Sequence, residues 1–318
     1  MKLDWPICGH SKITKYLQTC LQSSNWAHAY LFVGPSRVGK TTLAKYFVGS
    51  LFCQDVTSKP CQKCFICKAV NHNTYPDYYS LETAEDKKQI SIEQVRELIS
   101  RLNKKPIMGK HQVAIIHGAE KMSLEACNAL LKTLEEPAPN TLIILIADQD
   151  RLLSTIKSRC QVIKFQGVGD SEIVEFLKKG SDLPADELKS IAAISHGKIG
   201  WAKELSLDAD TWASLQDEIQ EELAFGLSQT GEKFKTIESI DTPDQISQKI
   251  QMWLTILTQI IQAKTQGKTT VPLENLEPYL KKDWSQIIKF AGLLMAAPEQ
   301  ISRNVNPRLV LENLFLNL

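Results

Sequence analysis

The sequence predicts an α/β domain built on a parallel sheet, followed by two all-helical domains. Three observations lead to that class. In the first half, short apolar runs alternate with helix-period patterns, as expected when crossover helices cover both faces of a parallel sheet. A glycine-rich loop, Gly34 to Thr41, lies between one such strand and one such helix. After Gln166 the strand-like runs stop, and only helical patterns follow.

In order, Ala29 to Val33 reads as a buried strand and Thr41 to Phe52 as a helix. Asp77 to Glu82 is a weaker strand. Ser91 opens a helix to about Leu102, with Gln94 placed to complete a capping box. Gln112 to Ile116 is a strand, Ser123 to Leu134 a helix, Thr141 to Ala147 a strand, and Gln161 to Phe165 the last strand. Asp170 to Lys179, Ala185 to Ser195 and Ile199 to Leu205 then read as short helices. Beyond Asp208 the pattern is longer amphipathic helices, including Asp244 to Gln266 and Arg308 to Leu316. Hinges fall at Gly167-Val168-Gly169 and in the acidic stretch Leu205 to Asp210. The expected domains are 1–166, 167–207 and 208–318.

Size and composition narrow the function. A chain of 318 residues has room for such domains. Its 37 Lys+Arg against 36 Asp+Glu leave a net charge of +1, too little for a stand-alone nucleic-acid or membrane-surface binder. Residues Met1 to His10 carry Asp4 and Pro6 and no apolar core, unlike a signal peptide. The most apolar run, Leu142 to Ala147, is far short of the about 20 residues that span a bilayer. These features point to a cytoplasmic protein with reduced thiols.

Gly34-Pro35-Ser36-Arg37-Val38-Gly39-Lys40-Thr41 fits the phosphate-loop pattern, with Thr42 following in the helix. Glycines let the backbone curl so that N–H groups and a helix terminus face phosphates. Lys40 has the reach for β- and γ-phosphates, and the Thr41 hydroxyl suits magnesium, so the segment implies ATP binding. Hydrolysis is another matter. A phosphate-loop ATPase normally ends a neighbouring strand in a carboxylate, but Val113-Ala114-Ile115-Ile116 runs into His117-Gly118. Imidazole is a poor magnesium ligand and glycine has no group to take a proton. Loss of a positioned base typically costs about 10²–10⁴ in rate. Glu120 is acidic but two residues late.

Cys53, Cys61, Cys64 and Cys67 form a compact thiol set within an otherwise helical stretch. Four thiolates at such spacing enclose a tetrahedral Zn²⁺, which would order a loop too small for its own core. A disulfide pair competes but suits an oxidising compartment, and a redox pair fits the doubled C-x-x-C less well. Cys8, Cys20 and Cys127 are scattered, and Cys160 reads as a small packing residue.

Asn128-Ala129-Leu130-Leu131-Lys132-Thr133-Leu134-Glu135-Glu136-Pro137, followed by a strand and then Ser158-Arg159-Cys160, resembles the bacterial clamp-loader family of gamma/tau and delta-prime subunits. The resemblance covers roughly the first 200 residues. Asn304-Val305-Asn306-Pro307-Arg308-Leu309 also looks like that family's last helix. It implies an AAA+ phosphate-loop domain with an inserted zinc module, a helical lid and a helical collar. It also implies that Arg159 is an arginine finger acting on ATP held by an adjacent motor subunit. Read without the family, Arg159 is a surface or ion-paired arginine, and Glu135 and Glu136 are a solvated helix end.

Three departures from the motor subunits stand together. His117-Gly118 replaces Asp-Glu, the strand end near Ile146 lacks a polar sensor, and Gly200 stands where motors carry a second sensor arginine. The resemblance therefore implies a poorly hydrolysing partner in a DNA polymerase III loader. Its partners would be gamma/tau and delta subunits, the sliding clamp and, through the complex, primer–template DNA. The alternative is an active gamma/tau-type ATPase motor.

Overall fold

A computed structural model of the chain describes residues 2–84, 87, 89–238, 240, 242–266, 276–303 and 305–317. The chain divides into two compact units, Met1–Ile173 with Gly197–Gly200, and Val174–His196 with Trp201–Leu318. The expected lid–collar boundary at 207–208 therefore falls inside the second unit.

The elements of the first unit run β1 (Lys2–Leu3), α1 (Ser11–Gln22), β2 (Ala29–Val33), α2 (Lys40–Phe52), β3 (Ser58–Lys59), α3 (Phe65–Asn71), β4 (Tyr78–Leu81), α4 (Ile92–Leu102), β5 (Gln112–His117), α5 (Leu124–Glu135), β6 (Thr141–Ala147), α6 (Ser154–Lys157) and β7 (Gln161–Lys164). Five of the strands form one sheet in the order β4-β5-β6-β2-β7, and every pairing is parallel. Every β2 and β6 residue is buried. Tyr30 and Phe32 pack into one apolar layer, while Ala29, Leu31 and Val33 pack into the other. A strand covered on both faces needs apolar residues at every position, so its sequence shows a continuous run instead of alternation.

Caps fix the helix starts. At α4, Ser91 Oγ accepts the Gln94 N–H while the Gln94 side chain accepts the Ser91 N–H, completing the expected box. Before β5, the fully buried Asp77 carboxylate accepts three consecutive backbone N–H groups, from Ile107, Met108 and Gly109, at 2.6–2.8 Å. Such a carboxylate satisfies otherwise orphaned donors and ties the loop to the start of β4.

Helix α7 (Asp170–Leu177) begins in the first unit. The second unit holds α8 (Ala185–Ile194), most of α9 (Ile199–Leu207), α10 (Ala209–Leu227), α11 (Thr230–Glu238), α12 (Pro243–Gln266), α13 (Glu277–Leu280), α14 (Trp284–Ser302) and α15 (Pro307–Leu316). Trp253 is fully buried among Tyr279, Phe290 and Phe315. Its indole N–H donates to the Glu222 carboxylate at 2.6 Å, and the same carboxylate pairs with Lys249. Asn306 caps α15 by accepting the Arg308 N–H, whereas Asn304 of the terminal motif lies outside the described residues. Among the described residues no helix is long and apolar enough to cross a membrane.

Candidate functional site

The phosphate-loop residues form the turn between β2 and α2. Gly34 has φ 155°, and a Cβ there would lie 2.3 Å from the Phe165 carbonyl oxygen at the end of β7, so only glycine fits. Gly39, with φ 103°, ends the loop and Lys40 begins the helix. Val38 is fully buried and pins the loop from below, whereas Pro35, Ser36 and Arg37 are exposed. Thr41 is half-buried and Thr42 exposed, in the first turn of α2. Lys40 is only 4% exposed and curls over its own loop. Its ammonium donates to Gly34 O at 2.6 Å, Pro35 O at 2.5 Å and Asp148 Oδ1 at 2.8 Å.

Two residues of this site escaped the sequence reading. Asp148 follows β6 directly, and the β2–β6 register sets Val33 opposite Ala147, with Gly34 N–H donating to Ala147 O. That register delivers the carboxylate to the loop. His10 packs edge-on against Phe165, and its Nε2–H donates to Val38 O at 3.0 Å. Gly200, at the expected second-sensor position, donates its N–H to Arg37 O at 2.8 Å. A Cβ there would sit 3.1 Å from that oxygen, so a side chain at this position would crowd the loop.

The end of β5 carries His117, whose Nε2 lies 3.2 Å from Ser80 Oγ on β4. Burial pushes the imidazole pKa down, against the opposing pull of Glu82. Gly118 then turns the chain with φ 63° into a short 3-10 segment, Ala119–Lys121. In that segment Glu120 Oε2 is buried with no hydrogen-bond partner among the described residues.

Arg159 lies between α6 and β7 and is 32% exposed. Its guanidinium pairs with Glu135 at 2.5 Å and donates to Thr155 O at 2.9 Å and Ser158 Oγ at 3.2 Å. Glu135 and Glu136 are exposed at the carboxyl end of α5, the solvated helix end that was expected. Glu135 also partners Arg159, because the α6 turn brings the arginine back to that end. Burial pushes the neighbouring Cys160 thiol up to about 12, as suits a packing residue and not a nucleophile.

The four cysteines come together. Cys53 ends α2, Cys61 and Cys64 lie in the loop, and Cys67 sits in α3. Their sulfurs all lie within 4.8 Å of one another, and Cys61 and Cys67 are 3.9 Å apart. Ligands at about 2.3 Å around a tetrahedral zinc stand roughly 3.8 Å from each other, so the set fits with little adjustment. The Cys61 N–H points at Cys53 Sγ, Cys64 N–H at Cys61 Sγ, and Cys67 N–H at Cys64 Sγ. Such donors favour thiolate, and the Cys61 thiol is drawn down to about 6 chiefly by the Cys64 N–H. Burial raises the Cys53 and Cys67 thiols, a cost that a bound cation would offset. The stretch is less helical than its sequence suggests, since β3 pairs in parallel with β1 across it.

Residues 9–169 match the family model described as DNA polymerase III, delta subunit. A DNA polymerase III subunit delta' from Pseudomonas aeruginosa is 39% identical over 174 residues, which cover 54% of this chain and 53% of that protein. The chain belongs to the DNA polymerase III delta-prime clamp-loader family. Gamma subunits are similar too, and one from Buchnera aphidicola is 34% identical over 200 residues, 61% of this chain and 55% of its own. The chain thus matches about half the length of these curated relatives. A gamma-subunit-related protein from Thermotoga maritima aligns over 98% of both chains at 18% identity and a TM-score of 0.42, too loose a likeness to carry an argument. Within the delta-prime family assignment, the matched segment contains the phosphate loop, the cysteine set and Arg159 but ends before the helices of the second unit.

Proposed function

We propose that this chain is the delta-prime-type partner in a cytoplasmic DNA polymerase III clamp loader, holding nucleotide without hydrolysing it efficiently. The observation that carries this reading is a complete phosphate loop in the same sheet as a strand ending in His117-Gly118. Gly34 through Thr42 would hold ATP, with Lys40 toward the β- and γ-phosphates and Thr41 toward magnesium. At the end of β5 a half-buried imidazole of lowered pKa replaces the hard oxygen ligand, and Gly118 leaves no base to orient water. The bound nucleotide would then be structural or regulatory.

The same reading gives Arg159 its task in trans. Its guanidinium, stationed between α6 and β7, would neutralise charge developing on the γ-phosphoryl group of ATP in an adjacent gamma/tau subunit, an effect of about 10³–10⁵ in rate. Cys53, Cys61, Cys64 and Cys67 would hold zinc, which supplies a crosslink and no reaction chemistry. The helices beyond residue 208 would form the collar that joins delta and gamma/tau subunits. Exposed Trp284, Ile288 and Met295, which share one face of α14, support a role in subunit packing. Through that assembly the chain would help open the sliding clamp for loading at primed DNA.

Steady-state ATP turnover by the purified chain, with Lys40→Ala as control, tests the reading. No Lys40-dependent turnover is expected, alongside MgATP binding that Lys40→Ala weakens. Turnover that disappears with Lys40 would make this an active motor subunit of the gamma/tau type.

A further inference from the structure

We propose that Asp148 is an internal occupant of the phosphate loop, competing with nucleotide phosphate for Lys40 and so setting the affinity of the site. The proposal rests on the reading that residues 34–42 bind nucleotide. A lysine ammonium has three protons to donate, and here all three are engaged, by two loop carbonyls and by Asp148. Only Asp148 brings negative charge. Because Lys40 is almost wholly buried, its cation needs a counter-charge, and the carboxylate provides it where a phosphate oxygen would otherwise do so.

The arrangement follows from the sheet. β6 is buried along its whole length, and its pairing with β2 leaves Asp148 as the first residue past the strand, level with Gly34. The two partners are not equally bound. Lys40 is 4% exposed and Asp148 is 48% exposed, so the carboxylate turns into water at small cost while the lysine stays in place. The nearby Asp150 is engaged with Lys157 and does not compete for Lys40. Incoming phosphate therefore has one displaceable rival, and that rival is Asp148.

MgATP binding to the full chain decides the matter, measured for wild type, Asp148→Asn, Lys40→Ala and the double variant. Asp148→Asn is expected to tighten binding by roughly twofold to fivefold, the range of a partly exposed ion pair. The gain should vanish when Lys40 is alanine. Unchanged or weaker binding in Asp148→Asn overturns the proposal, since the carboxylate would then be inert or would assist the metal. If neither wild type nor Asp148→Asn binds MgATP, the nucleotide reading fails, and a second measurement still judges the pair. The rate at which an amine-reactive ester acylates Lys40, followed by peptide mass spectrometry, should rise severalfold in Asp148→Asn. An unchanged rate would show that the carboxylate does not occupy the lysine.

Discussion

The turn after β2 and the turn after β5 leave the same edge of one parallel sheet, two strands apart, and they hold opposite inventories. The first keeps its glycines, its lysine and its threonine in a strand–loop–helix frame. The second keeps the frame as well, with a strand buried up to Ile116 running to a tight turn, but presents an imidazole and a glycine, where the proposed function would have an active motor carry carboxylates. Backbone geometry and chemistry are thus separable. Burial of Val113 through Ile116 preserves the strand whatever follows it, whereas rate depends on the one or two side chains at its end.

Carboxylates restored to the second turn would erase its difference from the first. If the chain is the poorly hydrolysing partner proposed above, the largest expected effect is elsewhere, in the assembled loader. There Arg159→Ala should lower the neighbouring subunit's turnover by about 10³ or more, measured as DNA-stimulated ATPase. Next, His117→Asp combined with Gly118→Glu should create Lys40-dependent turnover about 10²–10⁴ above the parent chain. Failure of that double variant to turn over would mean that the missing carboxylates are not the sole deficit. Lys40→Ala should weaken MgATP binding by roughly 10- to 100-fold, as befits loss of a charge-assisted hydrogen bond. Cys64→Ser should lower metal content, measured by atomic absorption, and reduce the melting temperature by several degrees.

The smallest effect is one of pH. Burial lowers the folded-state pKa of both His111 and His117, so the folded chain takes up fewer protons than the unfolded chain below the ordinary imidazole value. The stability they contribute is complete above about pH 6.5 and declines as acid approaches their lowered values. His117→Gln should flatten part of that decline in denaturant titrations between pH 7 and 5.

Much of the first unit was legible because its constraints are local. A strand buried on both faces writes itself as an unbroken apolar run, and Ala29–Val33 and Thr141–Ala147 have the predicted bounds. The loop pattern, the Ser91–Gln94 box and the cysteine spacing are short-range signals too. The contacts that were missed are long-range. Asp148 meets Lys40 across 108 positions, and only the strand register reveals the pair. Glu135 and Arg159 meet because α6 folds the chain back, which no periodicity in either segment announces. In the second unit the sequence shows which helix faces are apolar, but Trp253 inside and Trp284 outside have the same residue type.

Helix α2 starts at Lys40 and ends at Phe52, with Cys53 as its closing residue. At 1.5 Å per residue its 13 residues make a rod about 20 Å long. One end carries the amides and lysine of the phosphate loop, and the other carries the first sulfur of the cysteine set. An α-helix hardly stretches, so its two tips share one axis, and a metal clamping Cys53 to the sulfurs of α3 and its preceding loop would fix the aim of the opposite tip. The thiol cluster would in this sense be a tailstock for the phosphate loop.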